Sequence, residues 1–144
     1  MAVNKLFLDT NIVLDFILSR EGELNEIEQI FNLAKTGQFD CFISESVLTT
    51  CIYVLEKDKR DTLQMLRTLC TVLKVLPYVP SVLYSSIEIF DNIEGGFLYF
   101  LAQHHKMDFF ITRNINDFKN APLLLPVFTP KQFIKYLSPN DIPK

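Results

Sequence analysis

Short apolar runs alternate with segments of helical apolar spacing along the chain, and this alternation constrains the fold more than any other feature of the sequence. The apolar runs that predict strands lie at residues 6–8, 40–43, 72–76, 109–112 and 126–129. Apolar residues spaced three and four apart predict helices at residues 12–17, 24–34, 47–55, 63–70, 80–90, 94–105 and 130–137. Strands that alternate with helices pair in parallel, through right-handed crossovers that place helices on both faces of one sheet. The sequence therefore predicts an α/β fold.

The length and composition fit one domain with a full-sized core. The chain has 144 residues, of which 49% are apolar and 22% are charged, so disorder is not expected. We expect a single domain at residues 1–138 and a loose C-terminal tail at residues 139–144. The formal net charge of −3 argues against a protein that binds nucleic acid mainly through a global positive field, although a local basic rim remains compatible with it.

The cysteines and the longest uncharged run indicate the compartment. Cys41, Cys51 and Cys70 are odd in number and form no CxxC pair, and no N-terminal stretch has the pattern of a secretory signal. The longest uncharged run, residues 75–87, contains two prolines and is shorter than the roughly 20 residues that cross a bilayer. We expect a cytoplasmic protein that is not inserted in a membrane.

Polar residues follow the predicted strands at the edge of the sheet where functional groups of such folds collect. Strands one, two and four are followed, in turn, by Asp9, Thr10 and Asn11; by Ser44 and Glu45; and by Thr112, Arg113, Asn114 and Asp117. The start of the helix before strand four adds Asp91, Asn92 and Glu94. Carboxylate and amide oxygens are the ligands of Mg²⁺, which needs only one or two protein carboxylates and fills its octahedron with water and substrate phosphate.

A simpler interpretation exists for each of these residues taken singly. Asp9 and Asn114 have the residue types of helix N-caps, and Asp117 suits a turn. A cap needs one oxygen per helix, whereas several oxygens converge here, so the cluster favours a cation site.

Three motifs in chain order resemble the PIN domain family, and most closely its small toxin-type, VapC-like ribonucleases. Residues 7–15 read FLDTNIVLD, residues 43–48 read ISESVL and residues 111–118 read ITRNINDF. The resemblance covers nearly the whole chain. It implies a three-layer α/β/α sandwich around a mostly parallel sheet of about five strands, and cleavage of RNA that depends on Mg²⁺ or Mn²⁺. It also implies two partners besides RNA, because many members are toxins neutralised by an antitoxin protein and many form homodimers.

The resemblance assigns the site residues one at a time. Asp9 matches the first acid of the family, and Asn114 and Asp117 match the last motif. Thr50 and Gly95 stand where the family has its second and third acids. Glu94, next to the lost third acid, is a candidate replacement; Glu45, with Asp91, is a weaker one, because a charge at a helix N-terminus explains it.

The implied mechanism is metal-assisted hydrolysis of a phosphodiester. Asp9 and Asp117 would be the metal ligands, and Asp9, Asp117, Asn114 and Glu94 the catalytic residues. Thr10, Asn11 and Arg113 would bind substrate, although a surface ion pair is an equal explanation for Arg113. The alternative function is a catalytically weakened or inactive module that binds nucleic acid or protein through the same crevice.

Overall fold

The computed structural model describes residues 3–89 and 93–137. A five-stranded sheet forms its centre, with the strands β1 (Asn4–Leu8), β2 (Phe39–Ser44), β3 (Leu73–Leu76), β4 (Phe109–Ile111) and β5 (Val127–Phe128). Their order is β3-β2-β1-β4-β5, and all four pairings are parallel. The predicted α/β class and parallel sheet are confirmed.

In the described part of the chain, seven helices cover the sheet and complete the three-layer sandwich. They are α1 (Thr10–Ile17), α2 (Leu24–Lys35), α3 (Glu45–Lys57), α4 (Thr62–Val72), α5 (Pro80–Ile89), α6 (Ile93–His104) and α7 (Pro130–Tyr136), and a short 3₁₀ turn spans Ile115–Phe118. Helix α2 packs against α1 and α7, and α5 packs against α6. None of the helices within residues 3–89 and 93–137 has the length and apolarity needed to cross a membrane.

The central strand explains why the site lies where it does. Leu6, Phe7 and Leu8 of β1 are fully buried, as a strand covered by helices on both faces must be. Phe7 stacks on Phe110 of β4 with a centroid distance of 5.5 Å. The middle of the sheet is thus a packed apolar layer, which ends at the polar residue that follows β1.

Two helix boundaries follow the local chemistry of the sequence. The Ser44 hydroxyl accepts a hydrogen bond from the N–H of Val47 at 3.2 Å, so Ser44 is the predicted N-cap of α3. Gly37 follows α2 with a φ of +82°, and its N–H donates to the carbonyl of Ala34.

Some predicted boundaries were wrong by one residue. Val72 was assigned to the third strand but ends α4, because the N–H of Leu73 still donates to Leu69 in helical register. Thr112 was assigned to the fourth strand but follows β4, and its side chain is fully buried. The predicted tail at residues 139–144 and the candidate Asp91 lie outside the described residues.

Candidate functional site

The strand order brings the ends of β1 and β4 together. The order reverses at β1, and such a switch point leaves a crevice outside the carboxyl ends of the strands. Leu8 pairs with Ile111, and the N–H of Asp9 donates to the Ile111 carbonyl at 2.9 Å. Asp9 and Thr112 are therefore neighbours although 103 positions separate them.

Two hydrogen bonds hold the carboxylate of Asp9. Its Oδ1 accepts from the N–H of Thr10 at 2.8 Å, and its Oδ2 accepts from the hydroxyl of Thr112 at 2.8 Å. The first bond is the N-cap of α1 that the simpler interpretation expected. The second is not needed for capping. Thr112 Oγ1 also accepts from the N–H of Asn114 at 3.2 Å, so one buried hydroxyl links the first acid to the last motif.

A polar cavity of about 220 Å³ lies at this edge of the sheet, and we call it the carboxylate cavity. Six of the seven predicted site residues line it: Asp9, Thr10, Asn11, Glu94, Asn114 and Asp117. Glu94 lies in the first turn of α6, and its Oε1 accepts a hydrogen bond from Thr10 Oγ1 at 3.1 Å. The acid proposed as a replacement is thus at the cavity.

The residues at the positions where the resemblance expects the second and third acids also line this cavity. Thr50 of α3 and Gly95 of α6 are part of its wall. Glu45 is not part of this wall. It begins α3, is exposed and lines a different cavity. Of the two candidate replacements that lie in the described part of the chain, Glu94 and Glu45, only Glu94 therefore reaches the carboxylate cavity.

The electrostatics of the cavity disfavour a charged Asp9. Burial raises the pKa of Asp9 above its ordinary value of 3.8, and the nearby Glu94 and Asp117 carboxylates raise it further. The hydrogen bonds from Thr112 and Thr10 act in the opposite direction. A cation in the cavity would relieve both the burial and the repulsion.

The donor set fits a cation that keeps much of its water. Within the described part of the chain, no group of three or more His, Cys, Asp or Glu side chains is arranged to hold a metal ion. Mg²⁺ needs only one or two protein carboxylates, since water and substrate phosphate complete its octahedron. Asp9 and Asp117, with the amide of Asn114 in the same cavity, match that smaller requirement.

Arg113 does not line the carboxylate cavity. Its Nη1 donates to both oxygens of Asp15, at 2.9 and 3.1 Å, and Arg20 Nη1 lies 3.5 Å from the same carboxylate. Asp15 is only 4% exposed. The ion-pair interpretation of Arg113 therefore describes the structure, and the pair joins α1 to the segment that carries Asn114 and Asp117.

Asp15 and Thr112 are the residues near the site that sequence reasoning assigned no role. Asp15 carried one signal: it is an acid between apolar residues on α1, and a buried acid needs a partner. Thr112 is among the polar residues that follow strand four, but its bond to Asp9 is not visible in the sequence, because only the pairing of β1 with β4 places its hydroxyl there.

Comparisons with known proteins identify a family model and a relative that are similar to this chain. The family model described as PIN domain matches residues 5–116. The chain is 26% identical over 110 residues to Ribonuclease VapC1 of Aquifex aeolicus (strain VF5), an alignment that covers 72% of this chain and 76% of that protein.

Solved structures of other proteins share this fold. A chain of the VapBC2 structure from Rickettsia felis, bound to a DNA fragment from its promoter, superposes with a TM-score of 0.67 at 20% identity, over 85% of this chain and 96% of that one. A toxin–antitoxin complex from Klebsiella pneumoniae gives a TM-score of 0.65 at 22% identity, over 87% and 97%. At these identities the likeness establishes the fold.

Proposed function

The chain belongs to the PIN domain family, and from that premise we propose that it is a divalent-metal-dependent ribonuclease, the toxin of a toxin–antitoxin pair. The observation that carries the proposal is the carboxylate cavity, which Asp9, Glu94 and Asp117 line at the switch point of the sheet. The names of the relatives support it, because one is a ribonuclease and others are toxin–antitoxin complexes.

The residues of the cavity divide the work of hydrolysis. Asp9 and Asp117 would hold Mg²⁺ or Mn²⁺, with Asn114 as a neutral ligand or an anchor for water. When bound, the cation offsets the negative charge that develops on the phosphoryl oxygens. Asp9 is oriented in advance by its bonds to Thr10 and Thr112, so little reorganisation is needed when substrate arrives.

The remaining polar groups act on water and phosphate. Glu94 is held by the Thr10 hydroxyl at 3.1 Å, and we assign it to accept the proton of the attacking water. Asn11 and Asn114 line the same wall and orient the water or the phosphate. Arg113 contributes indirectly, by fixing the segment that bears Asn114 and Asp117 against Asp15.

The test is cleavage of labelled RNA with added Mg²⁺ or Mn²⁺. We expect Asp9→Asn to lower the rate by about a hundredfold or more, because even residues that only orient a metal ligand cost 10- to 100-fold. Asp58→Asn is the matched control, since Asp58 is an exposed carboxylate paired with Arg60 and lies outside the cavity. Cleavage that persists unchanged in Asp9→Asn would contradict the proposal.

A binding module is the second candidate, and the two lost acids favour it. Thr50 and Gly95 stand in the wall of the cavity where the family resemblance expects two carboxylates. Without those carboxylates the cavity binds a cation more weakly. Metal-independent RNA binding, with no cleavage by the wild type under any divalent cation, would select this alternative.

The partners follow from the same family membership. We propose an antitoxin protein as the neutralising partner, and a homodimer and a cytoplasmic location stay predictions. All three cysteines are free, with Cys41 and Cys51 buried, as expected of a protein in a reducing compartment.

A further inference from the structure

A second and larger cavity, of about 410 Å³, lies beside the carboxylate cavity, and we call it the side cavity. Thr50 lines both cavities. Helix α6 also serves both, because Gly95 borders the carboxylate cavity and Phe97 borders the side cavity. A nucleotide whose phosphate lies at the carboxylates therefore has the side cavity next to it.

An aromatic platform forms one wall of the side cavity. Tyr78 is half exposed, and its ring centroid lies 5.7 Å from that of the nearly buried Phe97. The segment before Tyr78 has a contact with the residue that follows α6, because His105 Nε2 lies 3.3 Å from the carbonyl of Pro77. A supported aromatic ring with solvent access is the group on which unpaired bases of single-stranded RNA stack.

Three polar side chains of the side cavity present hydrogen-bond acceptors. The hydroxyls of Thr49 and Thr50 donate to the carbonyls of Glu45 and Ser46, at 3.0 and 2.9 Å, which leaves their lone pairs for a ligand. The Glu45 carboxylate accepts only. Among the described residues that line this cavity there is no Lys, Arg or His, so the lining does not suit a phosphate.

An acceptor-rich wall selects a base edge that carries donors. Guanine presents N1–H and the 2-amino group side by side, a pair that one carboxylate can accept together. Uracil offers a single N–H on that edge.

We propose that the side cavity binds a guanine base of the RNA, stacked on Tyr78 and held at its N1–H and 2-amino group by Glu45. The proposal rests on the proposed function, because it places the base next to the scissile phosphate. It gives the ribonuclease a sequence preference that the carboxylate cavity alone does not supply.

Binding of short fluorescent RNAs tests the stacking. Tetranucleotides that carry G, A, C or U at one position are titrated, with Mg²⁺, into protein in the cleavage-deficient Asp9→Asn background. We expect the guanine RNA to bind most tightly. Tyr78→Ala should weaken it about tenfold, the effect of losing one base–aromatic stack, and Tyr78→Phe should keep it. Tyr84→Ala is the matched control, because Tyr84 is an exposed tyrosine of α5 outside both cavities.

Inosine tests the contact with Glu45, since it lacks only the 2-amino group of guanosine. Replacing guanosine by inosine should weaken binding when Glu45 is present and have little effect on Glu45→Gln. Equal affinity for all four bases, equal effects of Tyr78→Ala and Tyr84→Ala, or no RNA binding would overturn the proposal. Guanine-selective binding that depends on Tyr78 would support it even if the wild type cleaved no RNA, a result that would overturn only the ribonuclease.

Discussion

The buried carboxylate of Asp15 is a charge that the fold must neutralise. At 4% exposure it has lost nearly all of its hydration, and Arg113 replaces that hydration through two hydrogen bonds. Arg113 itself is 43% exposed on its side chain, so the pair is buried on one side only. The ion pair holds two parts of the protein together, because it joins α1 to the segment that leads to Asp117.

Removing Arg113 should therefore destabilise the protein. We expect Arg113→Ala to lower the free energy of unfolding by about 2 kcal/mol, less than the roughly 3–5 kcal/mol of a fully buried pair, because Arg20 stays near Asp15. Arg60→Ala, which breaks an exposed pair with Asp58, is the control and should cost about 0.5 kcal/mol. Urea denaturation measures the free energy of unfolding of both variants. Equal losses would show that the pair of Arg113 with Asp15 stabilises the protein no more than an exposed pair does.

Single residues were predictable where they follow a strand. Asp9 was located because a buried run stops at it, and Asn114 and Asp117 because they follow strand four. The pairing of Asp15 with Arg113 was not predictable, since it joins positions 98 apart and depends on how α1 lies against the end of β4. The side cavity was not predictable either, because it joins the start of α3 to Tyr78 and Phe97, which lie far along the chain.

Helix α6 supplies one of the three carboxylates that line the carboxylate cavity, and α3 supplies none. The two helices bring Thr50, Glu94 and Gly95 to its wall. The existence of both helices followed from apolar spacing, and the cap of α3 from Ser44. The rotation of α6 that places Glu94 at Thr10 was not predictable. Apolar spacing fixes the buried face of a helix only to within about one residue, or 100°.

An acidic side chain at residue 50 of α3 should strengthen cation binding. Thr50→Glu adds a carboxylate to the wall of the cavity, and we expect Mn²⁺ to bind about tenfold more tightly, because ligand charge sets the affinity of such sites. Titration calorimetry measures the change. Thr49→Glu is the control: it puts the same charge on the same helix, but residue 49 lines only the side cavity. Equal gains from both variants would mean that general charge, and not the cavity, attracts the ion.

For the molecule as a whole, the cavity is a cost to stability. The folded protein raises the pKa of Asp9 above its ordinary value of 3.8, so the folded state binds the proton more tightly than the unfolded chain does. Below pH 3.8 both states are protonated and there is no penalty. As the pH rises through the folded pKa, the penalty develops and then persists at neutral pH.

Asp9→Asn should therefore unfold at a higher temperature than the wild type at neutral pH while losing cleavage activity. The difference should shrink as the pH falls toward 3.8. Added Mn²⁺ should raise the unfolding temperature of the wild type more than that of the variant, because the variant lacks the carboxylate that we propose as a ligand. Thermal scans across this pH range provide the measurement, and a variant that is less stable at every pH would contradict the expectation.

The shared position of Thr50 means that two properties cannot be altered there separately. A longer acidic side chain at residue 50 would strengthen cation binding and would also fill part of the side cavity. Relatives that carry an acid at this place should therefore choose different RNA targets from this chain, and should also work at lower cation concentrations. Under the two proposals made above, the short threonine side chain at residue 50 both weakens the cation site and leaves room for a base.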